Sequence, residues 1–445
     1  MADEKAATDF LQRFGYLADD TSLDSAQGHA AVRAFQAANL LPATGDLDSR
    51  TEEQFARPRC GLPDRNAFTT AGLAPFVAFG TVWDRAVITY RINNLSGDFG
   101  ENRQRQIVAA AWQQWAAVVP LVFRETTGTP DIEILFGSRD HGDGATHSFD
   151  GPGRVLAHAF FPPPNGGSLA GDAHFDEDET WQDGVSASGI DLFTVAVHEF
   201  GHSLGLDHTT VPNSTMNPFY PTPSTPQQDD RAGMRQVYRR QIWVASMYRD
   251  ILGRRFDDDG LDGWVRSLFA GGSPEGMARG FCYSEEFSTD LATELYFLLL
   301  DRQPDPGGLA GWRKQLQHGM GRQSAIVGFL DSPEYRSKYP QDEAFVDSLY
   351  RRLLNRAPDA GGFQFWVKQL KNGVPRSEVA RGFVLSPEYC RNFSKSLYVH
   401  YLRRQPDAGG WQFWTDLLTQ GMNHQDAIAG FVSSTEYQNA VVNWW

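Results

Sequence analysis

Three imidazoles and one carboxylate in His198-Glu199-Phe200-Gly201-His202-Ser203-Leu204-Gly205-Leu206-Asp207-His208 fall at spacings that suit a single catalytic zinc ion. His198 and His202 lie four residues apart, so on an α-helix they share one face, one turn above the other, and can hold one ion together. Glu199 stands beside them, free to act on a water rather than on the metal. A third nitrogen has to come from off that face. Gly205 is the residue type that lets a chain leave a helix in a left-handed turn and bring His208 back. Three nitrogen ligands leave the fourth corner open, as catalytic sites require, whereas structural zinc sites are closed by four protein ligands. The implied chemistry is hydrolysis by zinc-bound water, with Glu199 taking its proton and returning it to the leaving amine. Met216 is expected to pack beneath the histidines rather than bind metal, because a thioether suits softer ions.

The extended pattern, closed by Ser214-Thr215-Met216-Asn217-Pro218, resembles the metzincin clan of zinc endopeptidases. A bare His-Glu-x-x-His is as often an ordinary helix with incidental histidines; the third histidine and Met216 set this segment apart. Pro58-Arg59-Cys60-Gly61-Leu62-Pro63-Asp64 narrows the resemblance to matrix metalloproteinase (matrixin) zymogens. A thiolate is a good zinc ligand, so Cys60 could fill the corner meant for water and keep the protein latent. The other reading of Cys60 is a buried free cysteine in a Pro/Gly loop. By resemblance, Arg59 and Asp64 are the pair that braces this loop.

Between these motifs lies a second metal-rich stretch. Three histidines and one aspartate make a closed tetrahedral set, and by resemblance His141, Asp143, His158 and His174 would hold a structural zinc. Calcium takes about six to eight oxygen ligands. By resemblance, Asp150, Gly151, Gly153, Asp176 and Glu179 match one calcium site, and Asp131 and Asp172 part of another. The loops around His147 and around Pro162-Pro163-Pro164 look longer than the family's, which leaves the second site's carbonyl ligands open. Substrate is expected along the strand carrying Leu156, Ala157 and Ala159, paired by its backbone. Pro218 and Tyr220 match the wall of the pocket past the cut, and Thr194 its floor; a small residue there implies room for large apolar side chains.

The elements that must position these groups can be read coarsely. A chain of 445 residues is too long for one core, and 41% hydrophobic residues suffice for several. The resemblance implies a multidomain α+β protein: a helical propeptide-like unit (1–64) with the fold shared by peptidoglycan-binding domains, an activation linker (65–78) cut by another protease or by the enzyme itself, a zinc catalytic domain with a mixed sheet (79–240), and an all-α tail (241–445). In the first unit Phe10, Leu11 and Phe14 share a face, as do Ala31, Val32, Phe35 and Leu40. Strands are predicted at 86–92, 131–136 and 155–161, and helices along Ile107, Ala111, Trp112, Trp115 and Val119, at 190–206 and at 229–238.

A net charge of −15 disfavours nucleic acid and anionic membrane as partners, and no apolar run spans a bilayer. Cys60, Cys282 and Cys390 are too few for a disulfide scaffold, which leaves a Cys282–Cys390 bridge open. Met1-Ala2-Asp3-Glu4-Lys5 shows no signal peptide, whereas the resemblance implies an extracellular or cell-surface protein acting on proteins or peptides.

Beyond residue 240 the chain repeats itself. Arg255 to Trp264, Arg302 to Trp312, Arg356 to Trp366 and Arg404 to Trp414 each run from Arg through an Asp/Gly turn to Trp, and Gly280-Phe281, Gly328-Phe329, Gly382-Phe383 and Gly430-Phe431 recur behind them. Units of about 50 residues that cannot bury a face alone must stack. They resemble the DUF4214 family of bacterial surface and exported proteins, which implies a bacterial source. The Asp-x-Gly-Gly turns are read as helix caps before calcium sites, and the Trp residues as core before glycan platforms, although a surface or glycan ligand for the tail stays open. Two further classes fit parts of the chain: a wall-anchored adhesin with a subsidiary protease, and a metalloprotein that never cleaves.

Overall fold

The computed structural model describes residues 4–64, 78, 80–185 and 189–445. The chain folds into two compact units, residues 1–242 with 258–265 and 445, and residues 243–257 with 266–444. The expected activation linker lies outside the described residues apart from Ala78. No helix of the described residues is long and apolar enough to cross a membrane.

The first unit opens with three short helices: α1 (Glu4–Arg13), α2 (Ala26–Ala38) and α3 (Ser49–Phe55). Ser25 and Asp48 start α2 and α3 by accepting the N–H of Gly28 and Thr51, which satisfies donors that a helix leaves unpaired. Leu11, Val32 and Phe35 are buried together, ringed by Phe10, Tyr16 and Phe55. Leu40, expected on the same face, is 73% exposed, because it lies past the end of α2 in a left-handed backbone conformation that turns it outward.

A six-stranded sheet follows, built from β1 (Arg59–Cys60), β2 (Val87–Ile92), β3 (Val122–Glu125), β4 (Ile132–Gly137), β5 (Val155–Ala159) and β6 (Ala173–Asp176) in the order β1-β5-β6-β4-β2-β3. Its neighbours run parallel except β5 and β6. Helix α4 (Glu101–Ala116) connects β2 to β3. The short pair β7 (Trp181–Gln182) and β8 (Ile190–Asp191) leads into α5 (Leu192–Ser203), and α6 (Gln228–Val237) comes after it. The boundaries follow the sequence expectation closely; Val119 is buried but lies beyond the end of α4.

Helices α4 and α5 pack on each other through Trp112, whose ring stacks on Phe200 with centroids 3.7 Å apart, and through Trp115, whose indole N–H donates to the Val197 carbonyl at 2.9 Å. A buried indole needs such a partner, and this one fixes the rotation of α5. The face of α5 carrying the two histidines is thereby set against β5.

The second unit consists of the helical repeats, and its elements recur with the same internal contacts. Tyr248, Tyr296, Tyr350 and Tyr398 meet Phe281, Phe329, Phe383 and Phe431 edge to face, each with centroids 4.9 Å apart. Arg254, Arg302, Arg356 and Arg404 each pair with a glutamate 32 residues further on, at the start of a later helix: Glu286, Glu334, Glu388 and Glu436. Asp305, Asp359 and Asp407 cap their helices by accepting the N–H of Gly308, Gly362 and Gly410, the role expected for these turns. Trp312, Trp366 and Trp414 lie against Phe329, Phe383 and Phe431. Repeats do not simply stack in chain order: helix Pro274–Cys282 packs on His424–Val432, and Arg322–Leu330 on Arg376–Val384. Cys282 and Cys390 are buried and free, so no disulfide joins them.

Candidate metal centre

Helix α5 starts at Asp191, whose carboxylate accepts both the N–H and the hydroxyl of Thr194, and ends in the turn at Leu204-Gly205. Gly205 takes φ +100, and a Cβ there would stand 2.5 Å from the Thr81 carbonyl, so the left-handed exit demands glycine. Gly201 is needed for a different reason: a Cβ would fall 2.3 Å from the Met216 sulfur, which packs directly beneath the helix.

With the helix so placed, the ligand atoms of Cys60, His198, His202 and His208 all lie within 4.8 Å of one another. The Nε2 atoms of His198 and His202 are 3.1 Å apart. Their Nδ1 atoms face the carbonyls of Thr215 and Leu206, each at 2.7 Å, and His208 Nδ1 faces Asp64 Oδ1 at 2.8 Å. Burial, helped by the charge of His208, pushes the His198 imidazole down to about 3 and His202 well below its ordinary value. Neutral imidazoles are the ligating form. His208 Nε2 is buried without a hydrogen-bond partner. Three imidazole nitrogens and a thiol around one point, the His208 nitrogen among them orphaned, fit a tetrahedral zinc ion. Glu199 is fully buried beside them; burial raises its carboxyl to about 8, against a contact with Cys60 Sγ 3.5 Å from Oε2.

Cys60 reaches this point because β1 is held between β5 on one side and the segment Pro218–Tyr220 on the other. Arg59 N donates to Arg154 O and Gly61 N to Ala157 O on the β5 side; Cys60 N donates to Pro218 O and Tyr220 N to Pro58 O on the other. Arg59 is buried, its Nη2 2.7 Å from Asp64 Oδ1, and Tyr16 donates its hydroxyl to Asp64 Oδ2 at 3.0 Å. Burial would raise the Asp64 carboxyl, yet the Arg59 guanidinium and His208 more than offset it and hold it at about 2. Phe10, Phe14 and Phe219 surround Arg59, and none of the three was singled out as part of this site from sequence.

A narrow cleft opens beside Cys60, lined among others by Leu156, Val195, Pro218 and Tyr220. Thr194, expected on its floor, instead turns its hydroxyl into the Asp191 cap, and the next residue, Val195, lines the cleft. Asn217 and Thr222 line it as well, and no pocket role is expected of either from the sequence.

The second cluster also converges. His141 Nε2, His158 Nε2 and His174 Nδ1 lie 2.9, 2.6 and 3.1 Å from Asp143 Oδ2. Burial pushes His158 down to about 4, and Asp143 Oδ1 is buried without a partner. Four donors with no open corner fit a structural zinc. Beside them, burial raises Asp176 to about 6 and Glu179 to about 7, and mutual repulsion with Asp150 and Asp178 adds to it; Asp176 Oδ2 has no partner. Gly151 and Gly153 hold the turn between these carboxylates in left-handed conformations. Such repelling, half-satisfied oxygens suit calcium. Asp131 differs: Arg85 and Thr89 already take both its oxygens, so it is not presented as a cation ligand. Asp172 accepts the Glu133 N–H, and burial raises it to about 7.

Comparison with known proteins agrees with this geometry. Residues 82–239 match the matrixin family model, residues 3–54 that of a putative peptidoglycan binding domain, and residues 236–291, 288–339, 329–393 and 390–441 the domain of unknown function DUF4214. Matrilysin of Homo sapiens is 40% identical over 240 residues, 53% of this chain and 85% of the relative. The hatching enzyme of Paracentrotus lividus is 42% identical over 236 residues, 51% of this chain but 37% of the relative, and the macrophage metalloelastase of Oryctolagus cuniculus 48% over 181 residues, 40% and 36%.

Proposed function

Because the chain belongs to the matrixin family, we propose that it is a zinc endopeptidase kept latent by Cys60 until residues 1–64 are removed. One observation carries the reading: a thiol from the N-terminal side and three histidines of the catalytic segment meet around one point. In this reading residues 1–64 form the inhibitory unit, 65–78 the segment to be cut by another protease or by the enzyme itself, 79–240 the catalytic domain and 241–445 the repeat tail.

His198, His202 and His208 would hold a catalytic zinc, which supplies Lewis acidity towards a scissile carbonyl and its attacking water. Glu199 takes the proton of that water and passes it to the leaving amine. Leu156 and Ala157 offer an edge strand on which an extended peptide pairs its backbone, the place now held by Arg59 and Cys60. Pro218 and Tyr220 wall the pocket that receives the residue after the cut. His141, Asp143, His158 and His174 would hold a structural zinc, and Asp150, Gly151, Gly153, Asp176 and Glu179 a calcium ion, both bracing the segment that leads into β5. We place its work outside the cell or on a surface, a reading supported by the match of residues 3–54 to a peptidoglycan-binding type of domain.

The test is hydrolysis of a generic quenched peptide before and after limited proteolysis or thiol modification, with mass spectrometry of the new N-terminus. Activity is expected to rise on processing. Full activity in the intact chain overturns latency, and none after processing overturns the endopeptidase. The match of residues 3–54 also supports a second reading, a wall-binding protein with a subsidiary protease; sedimentation with cell-wall fragments that persists in Glu199→Ala would favour it.

A further inference from the structure

The three candidate zinc histidines are not held in the same way. His198 and His202 turn their Nδ1 atoms to main-chain carbonyls of the catalytic domain, those of Thr215 and Leu206. His208 turns its Nδ1 to a carboxylate 144 residues upstream, on the other side of the proposed activation cut. That carboxylate is buried, 2% exposed, and is itself oriented by Arg59 on Oδ1 and by Tyr16 on Oδ2. With the proton on Nδ1, the lone pair of His208 Nε2 is directed at the metal point, where that atom has no other partner.

An acceptor on the outer nitrogen fixes the tautomer and ring orientation of a metal-bound imidazole and raises its basicity, and its loss typically weakens metal binding about 10–100-fold. For His198 and His202 the acceptor stays after activation. For His208 it departs with the N-terminal unit.

We propose that Asp64 is a positioning residue for zinc, so that the inhibitory unit retains the ion through His208 independently of the Cys60 thiol, and activation leaves a more weakly held metal. Resting on the zinc reading above, the proposal gives Asp64 a second role beside bracing Arg59. It implies that the metal is best acquired before the N-terminal unit is shed.

The full-length chain with Cys60→Ala isolates the effect, because the sulfur ligand is gone while Asp64 remains. Zinc release into the chromogenic chelator 4-(2-pyridylazo)resorcinol is expected to be about 10–100-fold faster from Cys60→Ala/Asp64→Ala than from Cys60→Ala, with Cys60→Ala/Asp64→Asn between them, since an amide oxygen still accepts a hydrogen bond. Nitrogen-15 spectra of the histidine side chains give the second readout. Substituting Asp64 should move the His208 Nδ1 resonance and leave those of His198 and His202 in place, which general loosening of the unit would not do. The unchanged His198 and His202 signals also certify that the variant is folded. Equal release rates from Cys60→Ala and both double variants, or an unmoved His208 resonance, overturn the proposal while the zinc reading stands. If the unaltered chain and every variant leave dialysis against micromolar zinc without metal, the zinc reading itself fails, and the proposal with it.

Discussion

The guanidinium carbon of Arg59 stands 3.5 Å from the ring centroid of Phe14, while its Nη2 reaches Asp64 at 2.7 Å. Arg59 thus joins the end of α1 to the strand that carries Cys60. A desolvated cation–π contact contributes about 2 kcal/mol, and truncating a buried phenylalanine costs about 3–5 kcal/mol.

Phe14→Ala should therefore loosen the thiol before it unfolds the catalytic domain. Even 1.4 kcal/mol of this felt at the switch makes opening about tenfold more frequent. Alkylation of Cys60 by iodoacetamide, followed by intact mass, should be at least tenfold faster, while the near-ultraviolet signal of the Trp112–Phe200 core is retained. A rate equal to that of the parent would show that Arg59 does not depend on Phe14.

Glu199→Gln separates binding from chemistry. The amide keeps the shape of the side chain but cannot take a proton from water, so activity of the processed protein should fall about 10²–10⁴-fold, the usual worth of a positioned base. Zinc content by elemental analysis should be unchanged, because Glu199 is not among the converging ligand atoms. Loss of zinc along with activity would make Glu199 a ligand.

Loop carboxylates set a pH dependence of stability whose sign can be worked out. Folding raises Asp176 from 3.8 to about 6 and Glu179 from 4.5 to about 7, mainly by burial. Groups raised on folding favour the folded state below their unfolded values and cease to do so as pH climbs through the folded ones. Chelator-treated protein should therefore melt at a lower temperature at pH 8 than at pH 5. Added calcium should restore the melting temperature at pH 8 and do little at pH 5. Identical melting curves with and without calcium at pH 8 would remove calcium from this loop.

Much of this was legible because the determinants are local. His198 to His208 and Met216 sit within one helix, one turn and one loop, so spacing alone located them, and the repeats betrayed themselves by period. What stayed hidden depends on distant chain segments. Nothing in the sequence says that Pro58 to Gly61 slots between Arg154–Ala157 and Pro218–Tyr220, since strand register is a tertiary choice. Nor could Asp131 be known to be taken by Arg85 and Thr89, or Asp64 to face His208. The pairing of the first repeat with the fourth is hidden for the same reason: all four repeats offer similar faces, and small differences among them decide which ones meet.

Two glycines three residues apart in the helix Pro306–Gln317 should respond oppositely to the same substitution. Gly311 faces open space, so Gly311→Ala should stabilise the tail by up to about 1 kcal/mol through helix propensity alone. Gly308 has its N–H on the Asp305 cap, and a Cβ there would lie 2.0 Å from the Tyr296 hydroxyl. Tyr296 cannot simply swing away, because its ring packs edge to face on Phe329 and lies under the Arg302 guanidinium at 4.8 Å. The clash should outweigh the propensity gain and cost about 1–3 kcal/mol, as overpacking usually does. Since Tyr350 and Tyr398 stand 2.3 and 2.1 Å from the same points on Gly362 and Gly410, Gly362→Ala and Gly410→Ala should behave alike. Thermal unfolding of the full chain reads the sign directly, and a stabilised Gly308→Ala would show that the tyrosine yields.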